Sequence, residues 1–177
     1  VNKTSKYDFR VDGTMFSKEI RNCKVGIIGT GKIGLTEAKL FKGLGADVYG
    51  FDVFQSEEAK HVVKFVEMDD LLERCDIVSL HVPYFPGKND KMVNAEFISK
   101  MKDGAILINT ARGELQDNAA ILEAIKSGKL DGFGTDVFAN ETAFFFKKLG
   151  SAAEISDPTV RELVQMYPKV LVTPHIG

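Results

Sequence analysis

From Lys24 onward the chain alternates between two hydrophobic periods. Continuous apolar runs predict strands over 24–28, 46–51, 62–66, 76–80, 104–109, 132–136 and 169–173. Between them, apolar residues recur at helical spacing over 32–44, 68–74, 94–101, 117–127 and 157–166. Runs such as Ala105-Ile106-Leu107-Ile108 lack the alternating polar residues of a half-exposed strand. They suit parallel strands covered on both faces. Strand–helix alternation of this kind predicts one doubly wound α/β sheet. The segment 1–22 is polar and irregular and reads as a lead-in with a turn at Asp12-Gly13, so the domain proper is expected over 23–177. The other irregular stretch, 140–156, contains Phe144-Phe145-Phe146 and is too long for a tight turn. It predicts an excursion over the surface or a cleft. Glu67-Met68-Asp69-Asp70 reads as a helix start, with acids at the positive end of the dipole.

The junction after the first strand carries the most specific pattern. Gly29-Thr30-Gly31-Lys32-Ile33-Gly34 lies between the apolar run Lys24–Ile28 and the helical run that follows. A second apolar run then ends at Asp52. In this strand–turn–helix–strand context three glycines mark a dinucleotide site. Gly29 permits the turn, Gly31 lets backbone approach a pyrophosphate, and Gly34 lets the helix pack close to the strand. The N–H groups at the helix start face the phosphates. Asp52 can accept from both ribose hydroxyls and would repel a 2′-phosphate, which favours NAD over NADP. The fold expected is a Rossmann-type, three-layer α/β/α single domain.

Bulk properties narrow the class. The chain has 177 residues, 44% of them hydrophobic and 27% charged, with a net charge of −2. That balance suggests neither nucleic acid nor an anionic membrane as partner. No apolar stretch reaches membrane-spanning length and no signal peptide is evident. Cys23 and Cys75 are isolated and lack metal-ligand spacing, so they read as reduced thiols in a cytoplasmic protein, and no metal site is expected. The absence of an initiator Met and the stop soon after His175 suggest a piece of a longer polypeptide.

Open sheets of this type bind ligands at the carboxyl ends of their strands. Polar residues cluster there: Asp52, His81-Val82-Pro83, Asn109-Thr110-Ala111-Arg112-Gly113, Asp136 with Glu141 five residues on, and Pro174-His175. Beside a nicotinamide, reduction of a 2-oxo acid needs a cation for the carboxylate, an acid for the carbonyl oxygen and a carboxylate to orient that acid. Arg112, His175 and Glu141 can fill these roles in that order. A guanidinium fork pairs with a carboxylate through two bonds. Histidine titrates near working pH, and a neighbouring glutamate favours its imidazolium and fixes one tautomer. Blander readings compete: Arg112 as a helix cap, Glu141 as an exposed carboxylate, His175 as a structural histidine, Lys32 as a solvated residue and Asp136 as a turn cap. His81 has no charged partner in the sequence, so it reads equally as cofactor-lining or structural. His61 reads as a surface residue, and Phe144–Phe146 as packing rather than a substrate pocket.

Taken together, Val25–Gly34, the run from Met101 to Gly113, Asp136–Glu141 and Thr173–Gly177 resemble the cofactor domain of the D-isomer-specific 2-hydroxyacid dehydrogenases. The resemblance covers essentially the whole chain. It implies that Arg112 contacts substrate, that His175 donates the proton and that Glu141 supports it. It places Asp136 at the nicotinamide carboxamide and His81, Val82 and Pro83 along the cofactor cleft. Gly29, Gly31, Lys32, Ile33, Gly34, Asp52, Thr110 and Ala111 complete the expected NAD contacts. Asp8–Gly13, the insert at 141–156 and Tyr167–Thr173 are more like the D-lactate, (R)-2-hydroxyglutarate and aryl-lactate members than the phosphoglycerate or formate ones. The resemblance also implies a homodimer, with contacts near 1–22, 85–100 or 144–149, a small 2-oxo or 2-hydroxy acid as substrate, and a substrate domain outside this chain. Gln116 and Asn118 depart from the family pattern and are expected beside the cleft entrance. Two other functions share the architecture: an NAD-sensing corepressor without turnover, and a hydrolase of the S-adenosylhomocysteine type. The Arg112–Glu141–His175 set argues against the second.

Overall fold

The computed structural model describes residues 18–176. Its strands are β1 (Lys24–Ile28), β2 (Asp47–Phe51), β3 (Lys64–Phe65), β4 (Ile77–Leu80), β5 (Ala105–Asn109), β6 (Leu130–Thr135) and β7 (Val170–Val172). The helices are α1 (Lys32–Gly43), α2 (Glu57–Lys60), α3 (Met68–Arg74), α4 (Ala95–Lys100), α5 (Asn118–Ser127) and α6 (Pro158–Leu163). All strands run parallel in one sheet, in the order β3-β2-β1-β4-β5-β6-β7. The chain starts in the middle and winds outward twice, so β1 and β4 are neighbours although 48 residues separate Ile28 from Ile77 and the sheet switches direction between them. Ligands bind at such a switch point.

Every helix predicted from periodicity is present. The differences lie where the pattern is shortest. The run 62–66 forms only the two-residue β3, and α2 is a single turn with no apolar period to announce it. It is started by Ser56, whose hydroxyl accepts from the Ala59 N–H (3.2 Å). Asn94, Asp117 and Asp157 cap α4, α5 and α6 in the same way, each cap being worth about 1 kcal/mol. Asp69 and Asp70 lie in the first turn of α3, as the acidic stretch there predicts. The strand expected over 132–136 begins earlier and stops at Thr135, which leaves Asp136 in the loop beyond it. The turn expected at Asp12-Gly13 lies outside the described residues.

The two faces of the sheet differ. On one, Ile28, Val78, Leu80, Leu107, Phe133 and Val170 meet Leu71, Leu72, Phe97, Ile98, Ile121, Ile125, Val160 and Leu163 in the main core. Fully burying each such side chain contributes about 1.5–3 kcal/mol. The other face is covered over Val25, Ile27 and Val48 by Ala38 of α1. Further along that face, Ile106 and Leu171 remain 36% and 56% exposed, in register with Gly132 and Gly134. Burial pushes the Cys75 thiol up to about 12. Both cysteines are unpaired and buried.

Candidate cofactor and substrate site

Three glycines shape the end of β1, for three different reasons. Gly29 has φ +94°, and a Cβ there would lie 2.7 Å from the His81 carbonyl carbon and 2.9 Å from the Val82 nitrogen. A Cβ on Gly34 would stand 2.0 Å from the Gly29 carbonyl oxygen, so only glycine lets α1 sit this close to the turn. Gly31 is neither strained nor crowded: its φ is −66° and a Cβ would meet nothing within 4 Å. Open space therefore lies in front of the first turn of α1, whose N–H groups no side chain caps. This is the cradle an anionic group needs. Lys32 and Ile33 at the helix start are both exposed, Ile33 to 73%.

Asp52 follows β2 and lies beside that cradle. Its carboxylate accepts from the Thr30 N–H (2.6 Å) and hydroxyl (3.2 Å) through one oxygen, and from the Phe54 N–H (3.0 Å) through the other. The Gly29 N–H donates to the Phe51 carbonyl (2.9 Å). The glycine turn and the acid are thus fixed to each other, and the oxygen that accepts only from Phe54 keeps acceptor capacity for a hydroxyl group.

His81 has a charged partner after all. Its Nε2 contacts the Glu37 carboxylate and lies 3.0 Å from the Ser79 hydroxyl, which donates to Glu37 Oε2 (2.9 Å). The imidazole is only 5% exposed. Glu37 comes from α1, too far away in sequence to be paired by inspection. What His81 and Val82 present to the glycine turn is backbone, while the ring is engaged beneath it. Val82 is half-buried and Pro83 exposed. His61 is exposed, as expected.

At the end of β5, Asn109 is fully buried and its Oδ1 accepts from the Ala111 N–H (3.0 Å), which fixes the Thr110–Arg112 turn. Thr110 is exposed and Ala111 half-buried. Asp136 follows β6, and its N–H reaches the Asn109 carbonyl (3.4 Å). Its Oδ1 is buried and, among the described residues, has no hydrogen-bond partner. A buried acceptor is costly unless something donates to it. An amide N–H₂ such as a carboxamide meets that need, so the residues present fit the nicotinamide cofactor. Gln116 is 3% exposed and lies beneath these loops rather than at a cleft entrance. The sequence held no signal for this, because an amide in a loop reads as solvated.

Arg112, Glu141 and His175 converge. They line one cavity of about 360 Å³ together with Gly113, Val137, Phe138 and Asn140. His175 Nδ1 is hydrogen-bonded to Glu141 Oε1, and Glu141 Oε2 accepts from the Phe138 N–H (3.0 Å). The imidazole is 32% and the carboxylate 19% exposed. Arg112 is exposed at the rim, and its Nη1 donates to the Ala111 carbonyl (2.6 Å). Two residues around this cavity hold left-handed backbone, Asn140 (φ +61°) and His175 (φ +45°). Non-glycine residues in that region are uncommon and concentrate at functional sites. Phe138, Phe144 and Phe145 stack edge-to-face behind Glu141, at 4.8–6.0 Å between centroids. Phe145 is buried and Phe146 is 71% exposed, so the triple phenylalanine is mainly packing.

Residues 2–177 match the family model described as D-isomer specific 2-hydroxyacid dehydrogenase, NAD binding domain. A D-lactate dehydrogenase of Treponema pallidum is 41% identical over 97% of this chain and 51% of its own length. A D-2-hydroxyacid dehydrogenase (NAD(+)) of Clostridioides difficile is 38% identical over 99% of this chain and 52% of its own. Among solved structures, a D-lactate dehydrogenase with NAD+ from Lactobacillus jensenii superposes with a TM-score of 0.87 at 38% identity, covering 95% of this chain and 50% of that one. The chain thus spans about half the length of the relatives it matches. With the glycine turn, the acid after β2 and the orphaned Asp136 oxygen in place, the chain belongs to the D-isomer-specific 2-hydroxyacid dehydrogenase family, as its NAD-binding domain.

Proposed function

We propose that this domain serves an NADH-dependent reduction of a 2-oxo acid to a D-2-hydroxy acid, like that of a D-lactate dehydrogenase. The observation that carries the reading is the Glu141–His175 pair facing one cavity with Arg112. The names of the relatives, D-lactate and D-2-hydroxyacid dehydrogenases, support it. NAD, when bound, supplies or accepts the hydride. Gly29, Gly31, Lys32, Ile33 and Gly34 would hold its pyrophosphate side, Asp52 its ribose, and Val82, Pro83, Thr110, Ala111 and the His81 backbone its flanks. Asp136 would accept from the carboxamide. Arg112 binds the substrate carboxylate through its planar fork and draws charge from the carbonyl. His175, held through Nδ1 by Glu141, is left with Nε2 to pass a proton to the carbonyl oxygen. Glu141 keeps the ring oriented, and its own second oxygen is anchored by the Phe138 N–H.

Residues 23–177 are proposed as the cofactor half of a two-domain polypeptide, with 1–22 as the lead-in. The bare apolar stretch at Ile106 and Leu171 supports this, because parallel sheets are covered on both faces. A cytoplasmic homodimer is proposed as well: both thiols are unpaired and buried, and Phe85 and Phe146 offer exposed apolar contact area in the stretches expected to meet a partner. Light scattering of the purified full-length polypeptide checks the dimer, and a monomeric mass rejects it.

The reaction is tested by following NADH absorbance in the full-length polypeptide with pyruvate, 2-oxoglutarate, phenylpyruvate and 2-oxoisocaproate. One acid should turn over, and His175→Ala should lose about 10²–10⁴-fold in kcat. NADH binding without turnover of any 2-oxo acid would reject the reaction and point to a sensor.

A further inference from the structure

Gln116 has no place in the mechanism above, yet it is one of the few polar side chains buried among the described residues. A buried primary amide is unfavourable unless its donors and acceptor are met. All are. Its Oε1 accepts from Asn109 Nδ2 (2.7 Å), and its Nε2 donates to Asn118 Oδ1 (2.9 Å) and to the Val137 carbonyl (3.3 Å). The amide therefore joins three segments: the end of β5, the first turn of α5 and the loop after β6.

Two of those segments carry groups of the site. Asn109 Nδ2 also donates to the Arg112 carbonyl (3.0 Å), so the Arg112 turn is bound to Asn109 and through it to Gln116. Val137 is the neighbour of Asp136. The β5–β6 ladder ends at the Asn109–Thr135 pair. Beyond it the Gln116 side chain stands in for a further rung, bonding to one loop through its oxygen and to the other through its nitrogen. On the opposite side the same loops touch directly: a Cβ on Gly113 would lie 2.0 Å from the Phe138 carbonyl carbon and 2.2 Å from the Ala139 nitrogen. Their separation is set by this backbone contact, by the Thr135 hydroxyl, which lies 3.0 Å from the Asn109 and 2.9 Å from the Val137 carbonyl, and by the Gln116 amide.

We propose that Gln116 is a positioning residue, whose amide fixes the spacing between the Arg112 turn and the Asp136–Val137 loop and so aligns the substrate-binding cation with the cofactor-binding carboxylate. The proposal rests on the reading of Arg112 and Asp136 given above. The Val137–Phe138 peptide is shared: its carbonyl accepts from Gln116 and its N–H donates to Glu141, so the same amide also stands behind the Glu141–His175 pair. Arg112 and Asp136 bind substrate and cofactor, so loosening their alignment weakens both bindings and raises Kd and KM.

The test uses Gln116→Met in the full-length polypeptide, a change that keeps length and volume and removes all three bonds. NADH Kd is read by fluorescence. KM and kcat are read with pyruvate or phenylpyruvate, whichever the wild type reduces, well below the melting temperature. Kd and KM should each rise about tenfold, the order expected from losing one or two neutral hydrogen bonds. A lower melting temperature with unchanged Kd and KM would show a merely structural amide and overturn the proposal. Should Gln116→Met fail to fold, Asn118→Ala decides: it removes only the half-exposed acceptor of Nε2. It should raise both constants about twofold to threefold, and unchanged constants overturn the proposal. A wild type that binds NADH but reduces neither acid defeats the reaction reading alone. The Kd comparison then still decides whether Gln116 positions the Asp136 loop.

Discussion

Gly31 and Gly34 belong to one motif, but the structure gives them opposite reasons for being glycine, and two alanine variants separate those reasons. In Gly34→Ala the new methyl would stand 2.0 Å from the Gly29 carbonyl oxygen. The obstacle is backbone and cannot rotate away, so α1 must retreat by about 1 Å or more to reach an ordinary contact distance. Overpacking costs roughly 1–3 kcal/mol, and a 2.0 Å clash with backbone that also shifts the buried fit of Leu35 and Ala38 places this site at about 2–3 kcal/mol. The gain in helix propensity, about 1 kcal/mol, offsets part of it. A net loss of about 1–2 kcal/mol lowers the melting temperature by roughly 2–8 °C in a domain of this size. In Gly31→Ala the methyl enters open space at φ −66°, so folding should change by less than about 0.5 kcal/mol. The same methyl would occupy the cradle before α1, and NADH affinity should fall at least about tenfold, or 1.4 kcal/mol. Thermal melts without cofactor and fluorescence titration with NADH read the two effects separately. A Gly31→Ala protein that binds NADH as the wild type does would refute the close approach of pyrophosphate to that residue. A Gly34→Ala protein with an unchanged melt would refute the packing argument.

Three further outcomes are expected. Asp52→Ala should weaken NADH binding about tenfold or more and relax rejection of NADPH. It removes the acceptor proposed for the ribose and also releases the Thr30 and Phe54 N–H groups, and an unchanged ratio of NADH to NADPH affinity would refute the role. Glu141→Gln keeps an acceptor for the Phe138 N–H but removes the charge facing His175; kcat should fall about 10²-fold with little change in melting temperature, and a kcat within twofold of wild type would refute it. Asp76 supplies the pH dependence. Burial opposes its charge, but Lys102, Lys18 and the Lys24 N–H outweigh burial and hold its carboxyl at about 2, below the ordinary 3.8. The folded state then binds fewer protons than the unfolded one, so this stabilisation is present above about pH 4 and is lost as pH falls toward 2. It amounts to about 1–2 kcal/mol once the half-exposed lysines are screened by solvent. Urea midpoints of wild type and Asp76→Asn should differ at pH 7 and converge near pH 2, whereas a constant gap would refute the linkage.

Much of the architecture can be read from local pattern, because strand and helix periods and side-chain caps act within one element. The run Ala105–Asn109 is apolar enough to predict a strand, although Ile106 on one face of it stays exposed, and the helical period over 117–127 predicts α5. The prediction fails where local signal is thin. The two-residue β3 depends on pairing with Tyr49 and Gly50, and α2 depends on a single Ser56 cap. Glu37 meets His81, and Gln116 meets Val137, only because the sheet order brings α1 under β4 and β6 beside β5. By itself, then, the sequence determined the longer elements, the glycine turn, the acid at the end of β2 and the residue types able to do the chemistry. Each of these follows from neighbours a few positions apart. Only the tertiary structure decided that Arg112, Glu141 and His175 share a cavity, that Asp136 Oδ1 is left without a donor, and that Gln116 is buried at the seam between two loops. Those facts depend on long-range register and on which surfaces lose water, and no local spacing encodes either.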